Sequence, residues 1–545
     1  MKQLKFMLIG VLAIIIFVTG CKKEDDPTNI QQGNVTNVQQ GEGFIKLGKK
    51  LDNPYSLKNM RKAYSNLKND SQLKSAMIDE DSITATHLYV RFLPKDSIEN
   101  NILIKDTTLE LFVYPLDYEI TETGTYYHDP AIPDDQPTWL YTAVPYGYVF
   151  PNIQYEILDE CYIPQGNSSL KSTNEFLGVL EVEAFRITGN ENQIEENNLK
   201  STKWGLPSLE RPTGRVQVIN NARTPNVLQG IRGVKVRTHN FVKIGIGWTD
   251  NNGNYSVNER YRTNVNYNIV FENSDGFKIW GNWAFFSPAI YDFGWHSKNG
   301  RNIDIYTNSV AWLWSTINNA AYDYNRKCDA LNIPRPPSDL RIWNMRVRGS
   351  WAGSAPMARH IALDINSLMD FLVIAYAAVK SQGWTIAISL CMPDVFILHN
   401  DSETDSRTVY ETVYHELGHA SHYQQVGKAY WLKYIGHIVA NRGYGNGNEN
   451  WAGYAGVGEI WGNFIGADCG RHEYGGIHSS FDYNEDWYNP GFFMDLHDIN
   501  SFTERELYNC LQSDINTINK LRDELIRRYP ADTAAINTQF GIYFP

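Results

Sequence analysis

YHELGHA, at residues 414–420, is the stretch that decides how the second half of this chain is interpreted. It contains the pattern HExxH, in which His415 and His419 lie one turn apart if the stretch is helical. Both ring nitrogens would then share one face and could reach a single metal ion at about 2.0–2.1 Å. Glu416 would project about 100° away from His415, which suits a base that activates water rather than a third ligand. The motif therefore predicts a zinc site whose chemistry is metal-assisted hydrolysis.

The residues around the motif favour a helix with one polar face. Thr408 and Glu411 have the spacing of a capping box, which predicts a helix that begins two turns before His415. Apolar residues cluster on the side opposite His415, whereas the histidine side is polar. The alternative interpretation, two core histidines held by hydrogen bonds, must account for the intervening glutamate and for this polar stripe.

A catalytic zinc ion needs a third protein ligand and one open position. His422 lies on the same helical face, but three ligands from successive turns of one straight helix would span about 10 Å. The metzincin pattern is excluded, because it requires Gly at position 422 and His at position 425, where the chain has His422 and Gln425. Glu459, in a later apolar stretch rich in small residues, is the best candidate. The other candidates, each with an ordinary interpretation as a surface or hydrogen-bonded side chain, are Glu449, His437, His472, His478 and His497.

HExxH followed by Glu459 resembles the gluzincin metallopeptidases, in which a second helix brings a glutamate to the zinc ion. The resemblance implies an α+β zincin-like catalytic domain, with zinc bound by His415, His419 and Glu459 and with Glu416 as the catalytic base. It also implies hydrolysis of protein or peptide substrates. Gluzincins of the thermolysin type often carry Asp four residues after the ligand Glu, to orient a histidine, and here that position is Asn463. An oxyanion donor is not assigned; Tyr454, His472, His478 and His497 are the available types.

The N-terminus predicts export and a lipid anchor. Lys2 and Lys5 precede an apolar run at 6–17, and VTGC follows at 18–21, which together predict a signal peptide over residues 1–20. The ending resembles a bacterial lipobox with Cys21 as the lipidated residue. The run has about a dozen apolar residues where a membrane span needs about 20. KKEDD at 22–26 resembles the export signal of Bacteroidetes surface lipoproteins, so the resemblance implies an outer-membrane, surface-exposed lipoprotein with a flexible tether at 21–43.

Composition excludes one class of partner. The net charge is −12 and no long basic run occurs, so nucleic acid is not expected as a partner. The membrane, through the lipid anchor, and a protein or peptide substrate are the expected partners. Apart from Cys21 there is an odd number of cysteines without a CxxC pair, so no disulfide framework is predicted.

The composition along the chain predicts a multidomain fold. Residues 44–212 are expected to be an α/β N-terminal module and linker, with a helix at 56–67 and strands at 87–93, 109–113, 139–144 and 155–162. This module has no catalytic signature and is interpreted as a binding module or as a pro-segment that covers the active site.

The middle part, residues 213–283, is expected to be a β-sandwich. Alternating segments at 233–238 and 267–271 flank the turn TDNNGNY at 249–255, a pattern that resembles the carboxypeptidase regulatory-like, transthyretin-like fold. Asp250, Asn252 and Asn254 have the spacing of a calcium loop, but the distal glutamate is missing, so a turn is predicted.

Residues 300–545 are expected to form the zincin-like metallopeptidase domain. The predicted helices are 310–331 and 366–380 before the motif and 503–511 and 517–527 in the tail, with a strand at 394–398. We therefore expect a zinc peptidase anchored to the cell envelope. The alternative is a catalytically inactive zincin-fold surface lipoprotein that binds glycan or protein.

Overall fold

The computed structural model describes residues 44–95, 97–133, 137–165, 171–194, 205–281, 287–346, 352–362, 393–399, 405–484 and 486–545. These residues form a mixed α/β structure with four sheets and twelve α-helices. The predicted signal peptide, Cys21, the tether at 21–43 and the predicted helix at 366–380 lie outside the described residues. Of the helices that are described, none is both long enough and apolar enough to cross a bilayer.

The described strands lie between residues 46 and 399. They are β1 (Lys46–Lys50), β2 (His87–Leu93), β3 (Tyr118–Glu122), β4 (Leu140–Pro145), β5 (Gln154–Cys161), β6 (Thr213–Asn220), β7 (Val227–Gly230), β8 (Val234–Asn240), β9 (Lys243–Trp248), β10 (Asn254–Ser256), β11 (Val265–Asn273), β12 (Lys278–Trp280), β13 (Ile290–His296), β14 (Ile303–Ile305), β15 (Arg341–Arg346), β16 (Ala352–Ser354) and β17 (Val395–His399).

The helices are concentrated after residue 400. They are α1 (Leu57–Leu67), α2 (Ser97–Lys105), α3 (Lys171–Ile187), α4 (Val310–Leu331), α5 (Ala358–Ala362), α6 (Ser406–Val426), α7 (Lys428–Asn441), α8 (Ala452–Tyr474), α9 (Gly491–Asp498), α10 (Glu504–Asn509), α11 (Ile518–Arg528) and α12 (Thr533–Tyr543).

The N-terminal part contains a small antiparallel sheet in the order β4-β2-β5. Helix α1 begins at the N-cap Ser56, whose side chain accepts the N–H of Asn59, and packs against α3. Buried apolar side chains from these strands and helices form one core, which also includes Phe241 and Val242 from the β8–β9 turn. The predicted helix at 56–67 and three of the four predicted strands are confirmed.

The predicted strand at 109–113 is wrong. Only Phe112 forms an isolated bridge, with Tyr141. The carbonyl oxygen of Leu111 accepts the Arg237 guanidinium at 2.7 Å, so a side chain from β8 satisfies a backbone group that a neighbouring strand would otherwise satisfy. The alternating apolar residues of this segment are therefore buried without forming a strand, because the segment packs against β8.

The largest sheet has eight strands in the order β16-β17-β15-β12-β11-β8-β9, with β13 paired to β11. Strands β12, β15 and β17 are parallel, whereas β16 runs antiparallel to β17 at the edge. A four-stranded sheet contains β6, β7, β10 and β14. Strands of the predicted β-sandwich thus divide between two sheets, and the larger one continues into strands of the predicted zincin-like part. The boundaries at 213–283 and 300–545 stay predictions.

The predicted turn at 249–255 joins β9 to β10. Its Asp250 carboxylate accepts the backbone N–H groups of Asn252 and Asn254, both at 2.8 Å, and Gly253 has a φ of +80°. These contacts are those of an aspartate that closes a turn.

Helix α6 lies on one side of the largest sheet, against β16 and β17, and packs between α4 and α8. The Tyr324 hydroxyl of α4 donates to Ser421 Oγ of α6 at 3.2 Å. A single apolar core joins these helices to both larger sheets. The HExxH motif is therefore located in the middle of a helix that is supported on several sides.

Candidate metal centre

Helix α6 begins earlier than the sequence indicates. Its N-cap is Asp405, whose carboxylate accepts the N–H of Thr408 at 3.0 Å, while Glu411 pairs with Arg407 at 2.7 Å. The predicted Thr408–Glu411 capping box is therefore wrong, because Asp405 takes the capping role and Glu411 pairs with Arg407 instead. The helix itself is confirmed.

The start of α6 is tied to the turn between β6 and β7. Asn221 Oδ1 accepts the N–H of Ser406 at 2.9 Å and its hydroxyl at 2.7 Å, and the N–H of Asn221 donates to Ser406 Oγ at 3.1 Å. These three hydrogen bonds satisfy groups at an otherwise open helix end and fix α6 relative to the four-stranded sheet.

Glycine residues allow α8 to approach α6 closely. A Cβ on Gly462 would lie 2.7 Å from Cε1 of His419, and a Cβ on Gly418 would lie 2.5 Å from Cγ2 of Ile465. The Trp461 indole N–H donates to the carbonyl of Gly418 at 3.1 Å across the same contact. The two helices therefore pack nearly backbone to backbone beside the histidines.

Three side chains converge on one point between these helices. The Nε2 atoms of His415 and His419 are 2.9 Å apart, and Glu459 carboxylate oxygens lie 3.5 Å from His415 Nε2 and 3.3 Å from His419 Nε2. Ligands at about 2.0–2.1 Å around a tetrahedral ion are separated by about 3.4 Å. The residues present therefore fit a metal ion with two nitrogen ligands and one oxygen ligand.

The surroundings of Glu459 keep its carboxylate ionised. Burial raises the pKa of the Glu459 carboxyl, but the charges and hydrogen bonds of His419 and His415 outweigh burial and hold that pKa well below its ordinary value. The side chains of Glu459 and His419 are each 1% exposed, whereas that of His415 is 11% exposed. Solvent therefore approaches the group on the side of His415.

Glu416 lies beside this triangle rather than in it. Its Oε1 is 3.9 Å from His415 Nε2, which is farther than either contact that Glu459 makes with the imidazoles. The ligand atoms of His415, Glu416 and His419 are all within 4.8 Å of one another, and this buried group could hold a metal ion. Glu459 lies within 3.5 Å of both imidazoles, so its position suits a third ligand, whereas Glu416 lies farther from His415.

The edge strand β16 contacts Glu416 through a glycine. A Cβ on Gly353 would lie 2.3 Å from Oε1 of Glu416 and 2.7 Å from its Cγ. Any larger residue at this position would displace the carboxylate. Sequence reasoning missed Gly353, because nothing in the local sequence indicates that β16 passes over the motif.

Helix α7 supplies a hydrogen bond to the third ligand. The Tyr434 hydroxyl donates to Glu459 Oε1, and the Tyr434 ring stacks on Trp431 with 4.6 Å between centroids. The Trp431 indole N–H donates in turn to the carbonyl of Ala355, just after β16. Sequence reasoning also missed Tyr434, since helix α7 was not predicted.

Asn463 does not orient a histidine. Its amide nitrogen donates to the backbone carbonyl of Glu459 at 3.0 Å, one turn back along α8. Among the described residues, Nδ1 of His419 has no hydrogen-bond partner. The role that an aspartate has at this position in thermolysin-type gluzincins is therefore not filled by Asn463.

His422 is separate from the convergent group. Its ring is fully buried beside Tyr430 and Trp431, and within the described part of the chain neither ring nitrogen has a hydrogen-bond partner. Burial, with His419 as the second cause, lowers the pKa of His422 to about 3, so the ring is neutral at ordinary pH.

The other candidate ligands have different neighbours. The ring nitrogens of His437 lie 2.9 and 3.1 Å from two backbone carbonyl oxygens, and Glu449 accepts the N–H of Asn446. The remaining three histidines each lie beside another polar side chain: His478 beside Ser480, His497 beside Arg471 and His472 beside Asp468. The Tyr454 hydroxyl accepts hydrogen bonds from Lys433 and Asn516. Of the residues that sequence reasoning placed at the site, the structure brings together His415, Glu416, His419 and Glu459.

Comparison with known proteins finds no match, whether with protein-family models, with curated proteins or with solved structures.

Proposed function

We propose that the protein is a zinc-dependent peptidase held at the bacterial outer-membrane surface by a lipid on Cys21. One observation carries the catalytic part of this proposal: His415, His419 and Glu459 converge within 2.9–3.5 Å, with Glu416 alongside. The anchor is supported by the sequence before residue 44 alone.

The donor set favours zinc. Two neutral imidazoles and one carboxylate are ligands that zinc takes in hydrolytic enzymes, where a fourth position stays open. When bound, zinc supplies a Lewis acid that polarises a carbonyl group and lowers the pKa of water towards about 7. Solvent access beside His415 is compatible with such an open position.

Glu416 is the group we propose as the general base. It would take the proton of the attacking water and return it to the departing amine. Its position next to the ligands, with Oε1 3.9 Å from His415 Nε2, supports this role. Gly353 keeps the space that the carboxylate occupies.

The edge strand supports a peptide as the substrate. Strand β16 runs antiparallel to β17 and ends the largest sheet within the described residues. An extended peptide can add to such an edge through main-chain hydrogen bonds. Because Gly353 of β16 lies against Glu416, a peptide bound there would pass beside the proposed base.

The test is the Glu416→Gln variant of the full chain. We expect it to bind zinc as the wild type does and to lose hydrolysis of a mixed peptide library by about 10²–10⁴-fold, the usual contribution of a general base. Zinc content by elemental analysis and cleavage products by mass spectrometry give the two readouts. Undiminished cleavage by the variant would contradict the role of Glu416. A wild-type chain that binds zinc and cleaves no peptide would favour the binding alternative.

The anchor is tested separately. Cys21→Ser, expressed in a bacterial host with the native leader, should move the protein from the membrane fraction to the soluble fraction and remove incorporation of labelled fatty acid. Continued fatty-acid labelling of this variant would contradict lipidation at Cys21.

A further inference from the structure

A second group of potential metal ligands lies on the other face of α8. Asp468 and His472 are one turn apart on this helix, and Glu504 is the first residue of α10. Asp468 follows Glu459 by two and a half helical turns, so the two carboxylates point to opposite sides. One ligand atom from each of Asp468, His472 and Glu504 lies within 4.8 Å of the others.

Both acidic residues of this group are buried. Asp468 is 0% exposed; its Oδ1 pairs with Arg471, and its Oδ2 accepts no hydrogen bond from any described residue. Glu504 is 8% exposed and lies in the first turn of α10. Buried charged groups are normally paired or bound to a metal, because removing them from water is costly.

One guanidinium is the positive charge in contact with the group. Arg471 Nη2 lies 2.7 Å from Asp468 Oδ1, but Nη1 of the same side chain also binds Asp498 at 2.7 Å. Arg471 is thus shared between two carboxylates and does not reach Glu504 as an ion pair. The charge of Glu504 has no positive partner among the described residues.

His472 completes the group and leaves it open to solvent. Its Nδ1 is 3.9 Å from Asp468 Oδ2, and its side chain is 54% exposed. An ion could therefore enter from the surface and meet an imidazole first. One nitrogen and two carboxylate oxygens form a donor set that suits a divalent transition metal.

We propose that Asp468, His472 and Glu504 form a second metal site, with Zn²⁺ as the bound ion. A bound ion would offset the Glu504 charge and join α10 to α8. This site is separate from the proposed catalytic one, because Asp468 and Glu459 point to opposite sides of α8.

The test counts zinc on the full chain by elemental analysis after equilibration with zinc and removal of free ions. We expect about two equivalents for the wild type, one for His472→Ala/Glu504→Gln, and one for His415→Ala/His419→Ala. The matched control is His478→Ala, which removes another exposed histidine and should keep both equivalents. Zinc should raise the unfolding temperature of His415→Ala/His419→Ala, and this shift should disappear once His472→Ala/Glu504→Gln is added.

The outcomes separate the two sites. If His472→Ala/Glu504→Gln holds as much zinc as the wild type, or if zinc does not shift the unfolding temperature of His415→Ala/His419→Ala, the second site is overturned. Loss of the second equivalent in His478→Ala instead would assign it to adventitious surface binding and overturn the proposal as well. His472→Ala alone, at an exposed position, provides the same count if the double variant fails to fold. If the HExxH site does not bind zinc, the wild type lacks only the equivalent assigned to His415 and His419, and the equivalent assigned to His472 and Glu504 remains.

Discussion

The two faces of helix α8 present two groups of potential ligands that differ in how far their geometry is already set. On the face towards α6, Glu459 and the two histidines of the motif are separated by 2.9–3.5 Å. On the opposite face, His472 Nδ1 is 3.9 Å from Oδ2 of Asp468. The first group is close to the spacing that an ion requires, and the second must contract to reach it.

The neighbours of each group explain this difference. Tyr434 donates a hydrogen bond to Glu459 and is itself stacked on Trp431, so the carboxylate is held in place. Asp468 instead faces Arg471, a cation that competes with a metal ion for the same carboxylate. A ligand that is oriented in advance loses less conformational freedom on binding. The comparison therefore predicts tighter zinc binding on the α6 side than on the α10 side.

The largest effect is expected from removing the charge of the third ligand. Glu459→Gln should weaken zinc binding at the α6 side by more than about 100-fold, because replacing an outer-shell partner alone typically costs 10–100-fold. Competition with a chelator measures the dissociation constant. Glu449→Gln, which alters a loop carboxylate that accepts the Asn446 N–H, is the control. An unchanged dissociation constant for Glu459→Gln would remove this residue from the site and the contrast between the two faces with it.

The next effect concerns the edge strand. Gly353→Ala should lower kcat/KM for peptides by about 100-fold, since displacement of a catalytic group by about 1 Å can cost that much. Zinc binding should not change, because Gly353 contacts Glu416 and not the ligands. Gly541→Ala in α12, where a Cβ would have open space, is the control. Wild-type turnover in Gly353→Ala would show that the base does not depend on this contact.

A smaller effect is expected from the hydrogen bond to the third ligand. Tyr434→Phe keeps the ring against Trp431, removes the donor to Glu459 and should weaken zinc binding about tenfold. The spectrum of cobalt bound in place of zinc should change in the same variant. Tyr430→Phe, whose hydroxyl donates to backbone carbonyls instead, should leave both readouts unchanged. Equal zinc affinities of Tyr434→Phe and Tyr430→Phe would mean that the Tyr434 hydrogen bond does not cause the tighter zinc binding expected on the α6 side of α8.

The smallest effect is expected at Asn463. Its amide is bound to the carbonyl of Glu459 on its own helix, so Asn463→Ala should change the zinc dissociation constant by less than about twofold and stability by less than about 0.5 kcal/mol. Chelator competition and thermal unfolding provide the measurements. A tenfold loss of affinity would indicate that Asn463 orients a ligand after all.

The sequence predicted the residues that the structure brings together because HExxH is a local pattern. Spacing along one helix places His415 and His419 on one face, and the small residues around Glu459 indicate a helix that can pack closely. The approach of Gly462 to the His419 ring agrees with that expectation. These features depend on helical geometry alone.

Features that depend on distant segments were not predictable in the same way. Gly353 and Tyr434 reach the site through a sheet edge and an intervening helix, and no local pattern identifies either of them. The capping box at Thr408 was wrong because Asp405 caps the same helix with equal chemistry three residues earlier. Helix α3 was missed although Phe176, Leu180 and Ala184 have helical spacing and are buried, so in that case a usable signal existed.

The most direct measurement is an anomalous difference map at the zinc absorption edge from crystals of the full chain grown with zinc. We expect a peak about 2.0–2.2 Å from His415 Nε2, His419 Nε2 and a carboxylate oxygen of Glu459. A zinc-saturated crystal with no peak between these three side chains, or with Glu459 turned away from the peak, would contradict zinc binding by His415, His419 and Glu459.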